Sequence, residues 1–140
     1  MRREMIKTKI KIIEEILTKI KKHLPSKYEE FKNLGLVKDG IYKNIEYAIE
    51  TVFDICAIIN ADLNLGVPKK DEDIINNLKM NNIIPDEIVR KLKTMKGFRN
   101  ILVHRYGEID DALAFKILTQ NFNDFNIFID LVNKFLNIKK

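Results

Sequence analysis

The stretch that decides the fold is residues 39–61, DGIYKNIEYAIETVFDICAIINA. Its apolar residues recur at alternating intervals of four and three, the spacing of one face of an α-helix. The seam consists of Ile41, Ile45, Ala48, Val52, Ile55 and Ile59, and Ile49, Phe53 and Cys56 widen it. Because the apolar face is so wide, this helix is predicted to be central, with Asp39 as its N-cap.

The segments at the two ends of the chain repeat this spacing. One seam consists of Ile6, Ile10, Ile13, Leu17, Ile20 and Leu24, and the other of Phe115, Leu118, Phe122, Phe125, Ile129, Val132 and Leu136. The first helix is predicted to end before Pro25, because proline lacks a backbone donor and disfavours helix in the residue before it. The last segment is predicted to be one helix over about residues 110–137.

Shorter helices are predicted between these segments. Ser26 can cap a short helix that extends through Phe31. Asp71 begins another short helix with acidic residues at its positive end, and the pair at 81–82, Asn-Asn, ends it. Pro85 suits the first turn of a further long helix. Since no strand alternation occurs, the pattern predicts an all-α, up-and-down bundle of four long helices plus one or two short ones.

Length and composition bound the class of protein. The chain has 140 residues, 46% apolar and 32% charged, which is typical of one soluble domain over residues 1–140. Cys56 is the only cysteine, so an intrachain disulfide and a metal site built on cysteines are excluded. No segment has the apolar pattern of a membrane span or of a signal peptide, so a cytoplasmic location is expected. The net charge of +5 favours anionic partners such as nucleic acid without specifying one.

In the helix that begins near Pro85, a charged residue occupies a position where the spacing of four and three calls for an apolar one. Counting from Ile88 by fours and threes reaches Leu92, Met95, position 99, Leu102 and position 106. Position 99 is Arg99, and a charge removed from water costs several kcal/mol unless it is paired. Arg99 therefore either meets a buried acid, for which Asp54 is a candidate, or lines a cleft where an anionic ligand meets it.

The polar residues around Arg99 are of the types that bind phosphate and transfer protons. Tyr106 lies seven residues after Arg99 and His104 four after Asn100, so the two pairs fall on adjoining lines of the helix, which Gly107 is expected to end. The Arg99 guanidinium suits a phosphate, and His104 can transfer protons near neutral pH. Asn100 can position a group, and Tyr106 can stack or donate a hydrogen bond.

One reaction suits this group of side chains. No carboxylate pair, Gly-rich phosphate loop or His/Cys cluster accompanies it, so neither a metal nor a cofactor is expected. An RNA 2′-hydroxyl can attack its own adjacent phosphate while Arg99 stabilises the developing charge and His104 transfers the proton. Two alternatives stay open: a non-catalytic module that binds nucleotide or RNA, and a helical interaction protein in which Arg99 pairs with Asp54.

The motif resembles that of the HEPN superfamily, in the form Arg-x4-His-x-Tyr of its HepT-like branch. Here it is Arg99, His104 and Tyr106, with Asn100 as the polar residue after the arginine. The longer run MKGFRNILVHRY at 95–106, the EID that follows at 108–110 and the layout of the upstream helices extend the similarity to about residues 1–137.

The resemblance implies a function beyond what spacing shows. Such proteins are small helical bundles that dimerise, with the motif helices flanking a cleft at the two-fold axis. They are metal-independent endoribonuclease toxins, and a minimal nucleotidyltransferase (MNT) antitoxin neutralises them by adding AMP to the motif tyrosine, here Tyr106. From spacing alone, the second wall of the cleft can come from the second long helix, another copy of the chain or the partner.

Overall fold

The computed structural model describes residues 1–104 and 108–138, with the side chains of His104 and Ile138 outside the description. Seven helices make up this described part. In chain order they are α1 (Arg3–His23), α2 (Tyr28–Lys32), α3 (Leu36–Asp62), α4 (Asp71–Met80), α5 (Asp86–His104), α6 (Asp111–Asn121) and α7 (Asp124–Ile138).

The all-α prediction is confirmed. Every regular element in residues 1–104 and 108–138 is a helix, as in the HEPN-like bundle that was expected. Within the same residues, no helix combines the length and apolar character needed to cross a membrane.

Helix α3 is central, as its wide apolar face predicts. All nine residues of its seam and widened face are buried. It packs against α1 on one side and against α4 and α5 on others, while α2 packs on α6 and α1 also meets α7. Burying large aliphatic side chains contributes roughly 1.5–3 kcal/mol each, so the buried residues of α3 are a major source of stability for the helices that pack on it.

Two predicted caps are wrong. Helix α3 begins at Leu36 with Gly35 as its N-cap, and the Gly35 carbonyl accepts hydrogen bonds from the backbone N–H groups of Lys38 and Asp39. Gly35 has φ +63°, a left-handed conformation that favours glycine, so the helix starts one turn earlier than Asp39 suggested. Helix α2 begins at Tyr28, beyond the reach of Ser26 as its N-cap.

The breaks around α1 and α4 are confirmed. Helix α1 ends at His23, two residues before Pro25. Helix α4 ends at Met80, and Asn82 adopts φ +59° just beyond it. Asparagine is one of the few residues that tolerate this left-handed conformation at a helix end. The Asn-Asn pair therefore ends α4 as predicted.

The last predicted helix is two helices instead. Helix α6 ends at Asn121 and α7 begins at Asp124, although the apolar spacing continues across the break. Asp124 is only 7% exposed, and its carboxylate lies 3.2 Å from Lys91 Nζ of α5 and accepts a 3.2 Å hydrogen bond from Asn121 Nδ2. These polar contacts hold the chain at the junction, and the spacing of apolar residues gave no sign of them.

Candidate active site

Arg99 lies beside the apolar seam of α5 and not within it. Phe98 occupies the core position with 4% exposure, and Met95 and Leu102 are buried on either side. The Arg99 side chain is 34% exposed. A helix has 3.6 residues per turn, so its buried line can shift by one residue, and here the shift buries a phenylalanine and leaves the charge in contact with water. The expectation that Arg99 fills a seam position is therefore wrong.

The acidic partner of Arg99 is Glu50 of α3. Arg99 Nη2 lies 3.6 Å from Glu50 Oε1, and the Glu50 side chain is 42% exposed. That distance is too long for a hydrogen bond, and a half-exposed ion pair stabilises a fold by less than about 1 kcal/mol. Glu50 therefore orients the guanidinium loosely and leaves its donors able to meet an anion.

Asp54 does not pair with Arg99, which corrects the sequence-based candidate. Its carboxylate lies 3.6 Å from Lys9 Nζ of α1, and its side chain is 58% exposed. Glu50 lies one turn before Asp54 on the same helix. The predicted helix was right and the residue was wrong, because the position of α5 along the axis of α3 decides which turn of α3 lies opposite Arg99.

Asn100 lies next to α4, whereas Arg99 contacts α3. It is partly buried and lines a surface groove between α4 and α5. The groove is formed by Glu72, Ile75 and Asn76 of α4 and by Lys93, Lys96, Gly97 and Asn100 of α5. Arg99 instead reaches α3. The two neighbours in sequence thus serve two sides of α5, whereas the spacing predicted adjoining lines at one edge of the seam.

His104 is the last residue of α5. At a rise of about 1.5 Å per residue it stands about 6 Å along the helix axis from Asn100 and about 7.5 Å from Arg99. Its side chain, together with Tyr106 and the predicted helix end at Gly107, lies outside the described residues. The roles of His104 and Tyr106 therefore stay predictions.

A polar network anchors the chain where it continues after the motif. Asp111, the first residue of α6, accepts a 2.7 Å hydrogen bond from Lys38 Nζ and a 2.5 Å hydrogen bond from the Tyr42 hydroxyl, both from α3. Lys38 Nζ also donates to the carbonyl of Lys32 at the end of α2. We call Lys38, Tyr42 and Asp111 the α3–α6 anchor. The sequence gives no sign of this anchor, because Lys38 and Tyr42 lie about 70 residues before Asp111 and only the fold brings them together.

The anchor shifts the pKa values of its members. Burial alone would raise the pKa of Asp111, but hydrogen bonds from Lys38 and Tyr42 outweigh burial and hold it below its ordinary value. Burial, followed by the hydrogen bond to Asp111, raises the pKa of the Tyr42 hydroxyl. The carboxylate therefore stays ionised and the phenol stays protonated at neutral pH, so the anchor is stable there.

Two other reactive side chains stand apart from this site. His23 is exposed near the end of α1, and its Nδ1 lies 3.0 Å from the carbonyl oxygen of Lys19, to which it donates when protonated. Cys56 is buried in α3, where desolvation raises the pKa of its thiol to about 12. A thiol with such a pKa is a poor nucleophile at neutral pH, so neither residue extends the chemistry of α5.

The last two turns of α5 therefore combine a partly exposed guanidinium, an amide in a groove and, at the helix end, a histidine. A sequence model of the family described as Ribonuclease HepT-like matches residues 13–132. The chain belongs to the HepT-like ribonuclease family. Its relatives include the mRNA nuclease HepT of Shewanella oneidensis, which is 32% identical over 103 residues that cover 74% of this chain and 77% of the relative.

Solved structures agree with this HepT-like assignment. A tri-AMPylated Shewanella oneidensis HEPN toxin in complex with an MNT antitoxin superposes with a TM-score of 0.83 at 29% identity, covering 92% of this chain and 96% of that one. A toxin–antitoxin crystal structure with AMP-PNP superposes with a TM-score of 0.85 at 28% identity, covering 94% and 98%. The helical architecture is thus that of HEPN toxins.

Proposed function

We propose that this HepT-like ribonuclease is a metal-independent endoribonuclease toxin that cleaves RNA by attack of a 2′-hydroxyl on the adjacent phosphate. Arg99 and His104 are its catalytic residues, and Asn100 and Tyr106 position the substrate. The observation that carries the proposal is the placement of Arg99, which is 34% exposed and loosely held by Glu50 in a HepT-like domain. A guanidinium that is held this loosely keeps N–H donors that can bind a phosphate.

The reaction needs one positive charge beside the phosphate and one side chain that transfers a proton. The 2′-oxygen forms a bond to phosphorus while the bond from phosphorus to the 5′-oxygen breaks, which leaves a 2′,3′-cyclic phosphate and a 5′-hydroxyl. Arg99 stabilises the growing negative charge on the non-bridging oxygens. His104 takes the proton that leaves the 2′-hydroxyl, and the departing 5′-oxygen takes a proton from water, so that His104 returns its own proton to the solvent afterwards. Because the nucleophile is tethered to its target, positioning supplies much of the acceleration.

The test is cleavage of RNA by the purified chain in EDTA. The wild type is expected to leave 2′,3′-cyclic phosphate ends and to spare DNA of the same sequence, which lacks the 2′-hydroxyl. His104→Ala is expected to lose this activity, whereas His23→Ala, the matched control on α1, keeps it. Cleavage that stops in EDTA and returns with a divalent ion contradicts metal independence. Equal cleavage by His104→Ala contradicts its catalytic role.

The same proposal includes a homodimer with the motif helices at its two-fold axis. Helices α3 and α5 run antiparallel, since Arg99 reaches Glu50 while Leu102, farther along α5, lines a cavity with Glu46. Tyr47 and Val103, 51% and 37% exposed, therefore lie beyond the ion pair in the same direction. Exposed apolar side chains beside a charged site suit a contact with a second copy. That copy supplies the second wall of the cleft.

The dimer is tested by sedimentation of the wild type and of Tyr47→Ser/Val103→Ser. The wild type is expected to sediment as a dimer and the variant as a monomer with reduced cleavage. Val67→Ser is the control, because Val67 is 96% exposed on the loop before α4. A folded double variant that remains dimeric excludes this face as the interface.

Control of the toxin is proposed to act through Tyr106 and a minimal nucleotidyltransferase antitoxin. The structural neighbour from Shewanella oneidensis is AMPylated and bound to an MNT antitoxin, which supports this partner class. The tyrosine hydroxyl attacks the α-phosphorus of ATP, pyrophosphate leaves and the hydroxyl proton is released. The added AMP places a bulky anion near the guanidinium of Arg99, where it competes with the phosphate of RNA.

Co-expression with such an antitoxin provides the test. Intact-mass and peptide measurements are expected to show AMP on Tyr106 and a loss of RNA cleavage. Tyr106→Phe is expected to lose the modification. Tyr47→Phe, which removes the hydroxyl of a tyrosine that is 51% exposed, is expected to keep it. AMP on a different residue contradicts this part of the proposal and leaves the cleavage chemistry untouched.

A further inference from the structure

The groove between α4 and α5 runs directly into the motif. Lys93 and Asn100 both line it and lie seven residues apart on α5. They therefore fall on nearly the same side of the helix, about 10 Å apart along its axis. Lys96 and Gly97 lie between them on the same side. His104 continues the helix one turn beyond Asn100. A chain of ligand groups in the groove therefore leads towards the predicted catalytic end of α5.

The charges of the groove are available to an anion. Lys96 is 22% exposed, and its ammonium lies 4.0 Å from Glu72 Oε1, far looser than the 2.7 Å pair between Lys38 and Asp111 in the α3–α6 anchor. Glu72 also lies 3.5 Å from Lys70, so its charge is shared. Lys93 is exposed and has no carboxylate within ion-pair distance among the described side chains.

The shape and the neutral groups of the groove add to this. Asn76 and Asn100 border it with amides that can donate to phosphate oxygens or meet base edges. Gly97 contributes no side chain, and even an added Cβ there would meet nothing within 4 Å. The middle of the groove is thus open between two lysines and two amides.

We propose that the α4–α5 groove binds the phosphate backbone of the single-stranded RNA segment next to the cleaved bond. Lys93 and Lys96 contact phosphates, Asn76 and Asn100 hold the strand, and Glu72 weakens binding by competing for Lys96. The inference rests on the proposed RNA cleavage and extends it, because it assigns residues outside the motif to substrate binding. Backbone contacts of this kind supply affinity without reading sequence.

Binding is measured by fluorescence anisotropy with a 2′-O-methyl RNA oligonucleotide, which cannot be cleaved by this route. Lys93→Gln/Lys96→Gln is expected to bind several-fold more weakly. The slope of log affinity against log salt should become shallower by about 0.7 for each phosphate contact that is lost. Lys11→Gln/Lys22→Gln, with two exposed lysines of α1, removes the same charge elsewhere and is expected to bind like the wild type.

A variant that removes a negative charge from the groove provides a second test. Glu72→Gln is expected to bind the same RNA more tightly, whereas Glu15→Gln, an exposed acid of α1, has no such effect. The proposed RNA binding by the groove is contradicted if Lys93→Gln/Lys96→Gln has the affinity and the salt slope of the wild type. It is also contradicted if the α1 control loses as much affinity as Lys93→Gln/Lys96→Gln. Absence of cleavage of unmodified RNA by the wild type instead contradicts the proposed function, and the binding measurement separates the two results.

Discussion

The α3–α6 anchor and the pair of Arg99 with Glu50 are two ionic contacts of α3 that differ in kind. In the anchor, Asp111 is 22% exposed and accepts hydrogen bonds at 2.7 and 2.5 Å. In the pair, both side chains are at least one-third exposed and 3.6 Å apart. The chain is thus fastened just after the motif, while the arginine of the motif can exchange its partner for a ligand. Stability and activity should therefore separate between the two places.

The largest effect is expected from Arg99→Ala. Loss of a preorganised donor to a developing charge costs about 10²–10³-fold in rate. The free energy of unfolding should fall by less than about 1 kcal/mol, because the pair with Glu50 is half-exposed. RNA cleavage rates and urea unfolding measure the two quantities. Arg90→Ala, an exposed arginine of the same helix, is the control and should change neither.

The opposite pattern is expected from Asp111→Ala. Removing this carboxylate leaves the Tyr42 hydroxyl without its acceptor and the Lys38 ammonium with only the Lys32 carbonyl, which costs about 1–3 kcal/mol of stability. Urea unfolding measures the loss, with Asp130→Ala, an exposed acid of α7, as the control. Equal stability of the two variants would show that the anchor does not hold α6.

The anchor also predicts a pH dependence of stability. The pKa of Asp111 is lowered in the folded protein, so its contribution is fully present above the ordinary aspartate pKa of about 3.9 and is lost as pH falls through the lower folded value. Asp111→Asn removes this titration. The stability advantage of the wild type over Asp111→Asn should therefore shrink on acidification below about pH 4 and stay constant above it. Unfolding curves at several pH values measure it.

The smallest overall effect is expected from Glu50→Gln. The change in stability should be less than about 1 kcal/mol, because the pair that it breaks is half-exposed. Freeing the Arg99 guanidinium should raise RNA affinity and cleavage. Asp54→Asn, one turn along α3, is the matched control and should leave cleavage unchanged because Asp54 pairs with Lys9. A gain in Asp54→Asn as large as that in Glu50→Gln would contradict the assignment of Glu50.

Apolar periodicity predicted most of the fold. The seams of α1 and α3 are buried almost as spaced, since a helix needs only its own sequence to gather residues on one face. The cap at Asp39 was wrong because glycine at position 35 allows an earlier start. The last helix was wrong because the contact of Asp124 with Lys91, a residue distant in sequence, holds the break.

The candidate site was predicted less completely. The motif names Arg99 and His104 by residue type and spacing, and their roles stay predictions. The family match to residues 13–132 confirms the resemblance to the HepT-like branch. The spacing could not show that Phe98 enters the core in place of Arg99 or that Asn100 borders α4. These outcomes depend on how far α5 is rotated against two neighbours, which the periodicity of one helix does not define.

By itself, the sequence determined the helical class, the buried faces of α1 and α3 and the composition of the motif. All three follow from local rules: one turn of helix, one cap or one short spacing. Only the tertiary structure decided that Glu50 and not Asp54 meets Arg99, that Asp111 fastens α6 to α3, and that lysines of α5 line a groove with α4. Such contacts join residues far apart in the chain, and only the packing of whole helices sets which of them come within reach.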